Sequence, residues 1–191
     1  MNTNNIHSKN RVATIWLSGI TASGKTTLGK LLYEDLNNYG IVNIKFYDGE
    51  DLRESLDKNY GHTLDDRYKV LEQYINIIKK GNEEGNIVIV ATVSHKKKMR
   101  DLARKRLDNF MEINLKCDSQ VCSQRDYKGV YSNINIDGEC LPGITEPYEF
   151  TNSAELVLDT EQNSIEDSRI ILLNKTLEFL NGNILQDKRK H

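Results

Sequence analysis

The sequence predicts an α/β fold: a five-stranded parallel sheet with helices on both faces and an added lid segment. Three observations carry this. Five β-like apolar runs alternate with amphipathic helical stretches along 191 residues. The middle run, Ile87–Thr92 (IVIVAT), is apolar on both faces, as a strand covered by helices on each side must be. The first run passes into the first helix through a turn with the spacing Gly-x-x-x-x-Gly-Lys-Thr at residues 19–26.

Taken in order, Val12–Leu17 is the first strand. Leu28, Leu31, Leu32, Leu36 and Tyr39 then recur at helical spacing and mark one apolar face. Asn43–Tyr47 reads as the second strand, and Leu64, Tyr68, Leu71, Ile75 and Ile78 mark the next helix. Ile87–Thr92, Phe110–Leu115 and Leu156–Leu158 are the third, fourth and fifth strands. Ile165, Leu172, Leu173, Leu177 and Leu180 define a final helix. Such alternation implies right-handed crossovers and ligand binding at the carboxyl ends of the strands. Residues 11–185 are expected to form one domain, with no internal repeat. Arg125–Phe150 has turn signals at Asp137-Gly138 and Pro142-Gly143 but no sustained period, and reads as a lid over about residues 125–150. Residues 1–10 are expected to be a polar, disordered arm, and residues 186–191 a basic tail.

Composition narrows the function classes. A formal net charge of −2 argues against a general nucleic-acid or membrane-surface binder. The longest apolar runs cover only a handful of residues, too short to span a bilayer, and the N-terminus lacks the apolar stretch of a secretory signal. Cys117, Cys122 and Cys140 form no Cys-x-x-Cys pair, and the four histidines form no His-x-x-x-His pair. A disulfide framework or protein-held zinc is not suggested, and a reducing cytoplasm fits best.

Gly19-Ile20-Thr21-Ala22-Ser23-Gly24-Lys25-Thr26 lies between a strand and a helix, the context in which this spacing works. There, free backbone N–H groups and the helix dipole hold a polyphosphate. Lys25 would reach the β- and γ-phosphates, and the Thr26 hydroxyl would sit on Mg²⁺. The pattern points to a nucleoside triphosphate. After the second strand, Asp48-Gly49-Glu50-Asp51-Leu52-Arg53 puts three carboxylates and an arginine at a strand end facing that loop. A carboxylate there could accept the proton of an attacking hydroxyl, and the arginine could fork onto an anionic acceptor. The same residues also suit an Asx-turn and helix N-cap.

With these motifs, the chain resembles the adenylylsulfate (APS) kinases from about Ala13 to Thr160. The resemblance rests on WLSGITASGKTTLGKLL, YDGEDLRESL, GHTLDDR, ATVSHKKKMR, VCSQRDYKGVY, GITEPYE and AELVLDT, in the family's order. QRDYKGVY followed by GITEPYE is the most specific part. The resemblance implies a P-loop kinase, commonly dimeric, that uses Mg²⁺ and moves the γ-phosphoryl of ATP to a ribose 3′-hydroxyl. By position, it implies that Gly19 to Thr27 cradle the ATP phosphates and that Arg125, Asp126 and Lys128 close on ATP. Asp48 would be the general base and Glu50 a second carboxylate near Mg²⁺. Arg53 and Arg67 would clamp the acceptor's 5′ anionic group, with Ser94 beside it. Ile144 and Tyr148 would belong to the acceptor-side lid.

The departures from the family pattern are concentrated, above all in the acceptor's base pocket. His62 and Leu141 stand where the family has phenylalanines that stack on the acceptor's adenine. Val70 replaces a common asparagine, and His95-Lys96-Lys97 replaces Pro-Tyr-Arg. Glu50-Asp51 replaces Asp-Asn, and Ser132-Asn133-Ile134-Asn135 replaces a basic Lys-Ala-Arg stretch. Base–aromatic stacking contributes about 1–3 kcal/mol per contact, so losing both rings would weaken adenine binding by orders of magnitude.

Three functions follow. The first is an APS kinase making 3′-phosphoadenylylsulfate for sulfate assimilation or sulfation. The second is a related kinase for another nucleotide with a diphosphate-like 5′ group, such as cytidine 5′-diphosphoramidate in surface-polysaccharide modification. The third is a nucleotide-binding regulatory module without catalysis, which retained Lys25, Asp48 and Arg53 argue against. Among the remaining residues, the basic run Lys96–Arg106 reads as a solvated helix with a few residues near substrate phosphates. Trp16 reads as core, and Cys117 and Cys122 as packing. Tyr131 and Tyr148 read equally as acceptor contacts or lid packing.

Overall fold

The structure, a computed structural model, describes residues 12–58, 60–126, 128–132 and 140–187, the last five by backbone alone. Its strands are β1 (Ala13–Ser18), β2 (Ile44–Asp48), β3 (Ile87–Thr92), β4 (Phe110–Lys116) and β5 (Leu156–Asp159). They form one parallel sheet in the order β2-β3-β1-β4-β5. The helices are α1 (Lys25–Asn38), α2 (Gly49–Glu54), α3 (Leu64–Glu83), α4 (Lys97–Arg106), α5 (Ser119–Arg125) and α6 (Ile165–Asp187).

The period of two along the strands builds two cores. Ile15, Leu17, Ile87, Ile89 and Ile113 face one side, where α1 and α6 supply Leu28, Leu32, Leu36, Leu172 and Leu180. Trp16, Val88 and Val90 face the other, with Leu71, Ile75 and Ile78 of α3 and Met99 and Ala103 of α4. All of β1 and β3 is buried, whereas the edge strands β2 and β5 are partly open. This burial explains why the central strands read as continuous apolar runs.

Each predicted strand is present within a residue or so of its expected ends, and Trp16 is fully buried in the core. Three expectations need correcting. Tyr39 and Ile165, placed on helix faces by spacing, are mostly exposed because they lie at helix ends, beyond the opposing layer. Residues 186 and 187, expected to open a basic tail, belong to α6, which runs to Asp187. The α4 segment is not simply solvated, because Arg100 is fully buried among polar partners. The expected arm over residues 1–10 and the lid tip around Asp137-Gly138 lie outside the described residues.

Candidate active site

The carboxyl ends of the strands border a cleft of about 1300 Å³. Its donor half begins where β1 ends. Gly24 is the N-cap of α1 with φ 97°, a left-handed conformation that favours glycine. Gly19 lies so close to the end of β4 that a Cβ there would meet Ser23 Oγ at 2.6 Å and the Leu115 carbonyl oxygen at 2.8 Å. These two constraints explain why the loop carries glycine at its first and sixth positions. Lys25 is buried and its Nζ donates to the Ile20 carbonyl at 2.7 Å. Burial pulls its ammonium down to about 8, against the opposing pull of Asp48.

Asp48 joins the loop to the next element. Its Oδ2 accepts from Thr26 Oγ1 at 2.5 Å, and its Oδ1 accepts from the Glu50 N–H at 2.9 Å as the N-cap of α2. Both sequence readings of this carboxylate hold together: it caps a helix and it faces the phosphate loop. Thr26 and Asp48 converge at the open mouth of the loop with hard oxygen donors, which suits Mg²⁺ held jointly by protein and phosphates. From the lid side, Lys128 pairs with Glu50, and the Tyr131 hydroxyl donates to the Thr21 carbonyl at 3.0 Å. Tyr131 therefore anchors the lid on the phosphate loop. Asp126 accepts from the Tyr131 N–H at 2.7 Å, and Arg125 donates to the Thr160 carbonyl at 3.0 Å.

The acceptor half is assembled from three separate segments. Arg67, in the first turns of α3, donates through Nε and Nη2 to the Cys140 carbonyl at 3.0 and 2.6 Å. Burial lowers its guanidinium from its ordinary value, yet an arginine stays charged at any physiological pH. Arg53 donates to the carbonyls of Tyr60 and Gly61. The Cys140 N–H donates to the His62 carbonyl at 3.1 Å, which sets His62 beside Leu141 across the two segments. Both line the cleft, together with Val70 and Ile144. The third segment follows β3. Ser94 is buried with φ 33°, and behind it the His95 imidazole lies 3.3 Å from the Cys140 thiol. Burial, helped by Arg67 and Lys96, pushes this imidazole down to about 4, so it is neutral at pH 7.

Most sequence-predicted site residues thus border one cavity: Thr21 to Thr27, Asp48, Glu50, Arg53, His62, Arg67, Ser94, Arg125, Asp126, Lys128, Leu141 and Ile144. Gly19 and Ile20 lie behind this wall, one packed on β4 and the other occupied with Lys25. Tyr148 is the correction. It does not line the cleft; its hydroxyl is 2.7 Å from both Ser18 Oγ and Asn114 Oδ1, and burial raises its phenol to about 12. Sequence reasoning missed the far end of the donor half, where Thr160, Asn163, Ser164 and Ser168 line the cleft after β5. The strand-end rule pointed there, but β5 is short and the segment has no motif. It also missed Tyr74, which lines the cleft and donates its hydroxyl to the Gly49 carbonyl.

A parallel sheet with a lysine-bearing phosphate loop, a carboxylate facing it and an arginine pair across the cleft defines a P-loop nucleotide kinase. The comparisons refine the class. Residues 11–159 match the adenylylsulphate kinase family, and the chain belongs to that family. It is 35% identical over 168 residues to the adenylyl-sulfate kinase of Bacillus pumilus, covering 86% of this chain and 84% of that one. It is 32% identical over 168 residues to the cytidine diphosphoramidate kinase of Campylobacter jejuni, covering 87% and 98%. The solved APS kinase of Mycobacterium tuberculosis, in complex with AMPPNP and APS, superposes with a TM-score of 0.74. It is 27% identical, over 85% of this chain and 96% of that one.

Proposed function

We propose that this chain transfers the γ-phosphoryl group of ATP to the ribose 3′-hydroxyl of adenosine 5′-phosphosulfate, giving 3′-phosphoadenylylsulfate and ADP. The observation that carries this reading is that Asp48, bonded to Thr26 of the phosphate loop, shares one cleft with the arginines Arg53 and Arg67. An acceptor clamped by its 5′ anion would present its ribose to that carboxylate.

In this reading the loop N–H groups and Lys25 hold the donor phosphates, and Lys25 stays with the charge that builds on the transferring group. Asp48 takes the proton of the 3′-hydroxyl, with Glu50 the alternative base. Mg²⁺, held by Thr26 with the ATP phosphates, would supply charge neutralisation on them. Arg125, Asp126 and Lys128 close the donor side, while Arg53, Arg67, Ser94, His62, Leu141 and Ile144 form the acceptor side. The active unit is a homodimer acting in the cytoplasm. No helix among the described residues is long and apolar enough to cross a membrane.

A second acceptor is favoured by one specific observation. His62 and Leu141 are neighbours in the wall beside Arg67, and neither offers the phenylalanine ring an adenine pocket of this family uses. A pyrimidine needs less of that wall, and the Campylobacter relative bears a cytidine name. Measuring ADP release from Mg·ATP over a range of APS concentrations decides. Rapid release at micromolar APS supports the first reading. Intact ATP binding without APS-stimulated release, but with release on cytidine 5′-diphosphoramidate, supports the second.

A further inference from the structure

Arg100 sits on α4 among lysines and arginines, yet it is fully buried. Its guanidinium is divided among three chain segments. Nε donates to Glu112 Oε1 on β4 at 2.7 Å, Nη1 donates to the Ser94 carbonyl at 2.7 Å, and Nη2 donates to the Glu149 carbonyl. The Tyr148 ring covers it, 4.9 Å from the guanidinium carbon. Glu112, also fully buried, accepts from Arg104 at 3.2 Å and from the Asn114 amide at 3.3 Å.

These contacts make a continuous path. The Ser94 carbonyl leads through Arg100, Glu112 and Asn114 to Ser18, the residue before Gly19. Tyr148 joins the same path through its hydroxyl, bonded to Ser18 and Asn114. At the acceptor end, the Glu149 N–H donates to the His95 carbonyl at 2.9 Å and the Lys97 N–H donates to Glu149 Oε2 at 2.8 Å. Ser94 has the left-handed φ of 33°, unfavourable for a residue with a Cβ, and the Arg100 contact to its carbonyl holds that geometry.

We propose that Arg100 and Glu112 are positioning residues for the acceptor half of the site, fixing Ser94 and the C-terminal end of the lid relative to the phosphate loop. Neither touches a substrate; both act through Ser94, the 146–149 segment and Tyr148. An ion pair with no solvent contact tolerates little change in geometry, because a displaced partner leaves a buried charge unpaired. The arrangement therefore has one setting; it reaches the donor side at the Ser18 side chain alone, while the loop beyond keeps its own path through Gly19, Gly24 and the Lys25 contact to Ile20.

The kinetic arm of the test rests on the proposed kinase reading, and the exchange arm does not. Glu112→Gln, Arg100→Lys and Tyr148→Phe would be compared with wild type for KM of acceptor, KM of ATP and thermal midpoint. Amide hydrogen exchange would be measured on the same proteins. Glu112→Gln is expected to raise the acceptor KM about 10- to 100-fold while the ATP KM stays within about twofold, as a displaced positioning group does. Arg100→Lys keeps the charge but not the fork and is expected to fall between. Tyr148→Phe is expected to raise the acceptor KM by about threefold. Exchange should quicken at residues 94–97 and 146–150 and not in β1 or α1.

Equal rises in both KM values, or exchange quickened uniformly, would mean a merely structural pair and overturn the proposal. An acceptor KM within twofold of wild type for both Arg100→Lys and Tyr148→Phe would do the same, which keeps the test decisive should Glu112→Gln fail to fold. If wild type turns over neither APS nor cytidine 5′-diphosphoramidate, the reading of the reaction fails and the exchange pattern alone decides on positioning.

Discussion

The two halves of the cleft are built by different means. The phosphate loop of the donor half is a single stretch of chain, with Gly19 and Gly24 needed for its backbone path and Lys25 and Thr26 added to it, and only the outer wall of that half comes from Arg125, Asp126 and Lys128 and from residues 160–168. The acceptor half is made of side chains from residues 53–67, 94–95 and 140–144, brought together by hydrogen bonds such as Cys140 N–H to the His62 carbonyl. Backbone recognition tolerates little sequence change, because the glycines are fixed by sterics. Side-chain recognition can be retuned one residue at a time. Two departures from the family pattern, His62 and Leu141, stand in this second half, whereas the phosphate loop keeps its spacing unbroken.

Substitutions that break this contrast should differ in kind as well as size. The largest effect is expected from Lys25→Ala, which removes charge at the transferring phosphoryl and should lower kcat/KM by about 10³-fold or more in an ADP-release assay. Asp48→Asn comes next. Asparagine still caps α2, so the fold should survive, while kcat falls about 10²-fold or more and ATP binding by titration calorimetry stays near wild type. An unimpaired Asp48→Asn enzyme would move the base to Glu50. Arg67→Ala should leave the ATP KM alone and raise the acceptor KM by about 10- to 100-fold, the loss of a hydrogen bond to a charged group.

Sharpening the acceptor half should work in the opposite direction. His62→Phe with Leu141→Phe is expected to tighten an adenine acceptor by about tenfold or more, two stacking contacts being added. Unchanged affinity would show that the base lies elsewhere. The smallest expected effect is in pH. Lys25 must carry its proton to meet the phosphates, and its pKa in the free enzyme is lowered to about 8. The charged form is therefore lost as pH rises through 8, and kcat/KM for ATP should drop about fourfold between pH 7 and 8.5. Bound phosphates restore the proton, so kcat should hold over that range.

How much of this was legible in the sequence follows the same division. The central strands read clearly because burial on both faces leaves no charged position in IVIVAT and a polar one only at its end, and the phosphate loop read clearly because it is local. The acceptor wall was legible through family resemblance alone, since no periodicity links residue 62 to residue 141. Arg100 was misread because α4 is basic all along; what decides its fate is a carboxylate on another strand. A signal did exist: Glu112 is the charged residue in the middle of FMEINLK, and a carboxylate in a buried strand requires a partner. The family resemblance implies an acceptor-side place for Tyr148, while its residue type suits lid packing equally. The GITEPYE segment turns its tyrosine inward to Ser18 and Asn114, an orientation fixed only by three-dimensional packing. The short helix α5 carries too few apolar residues for a period to register.

The strand order has a consequence for how the chain acquires its shape. β1 lies at the centre of the sheet, and neither neighbour is adjacent in sequence: Ala13 pairs with Ile87 and Thr14 with Phe110. A strand made first must therefore wait for residues 87–92 before one edge is covered and for residues 110–116 before both are. Such long-range parallel pairing folds slowly, and the waiting strand, ATIWLS, is an adhesive edge in the meantime. During synthesis at about 5–20 residues per second the exposure lasts several seconds. Overproduction in a fast-translating host should yield aggregated protein whose recovery improves when translation is slowed by cooling.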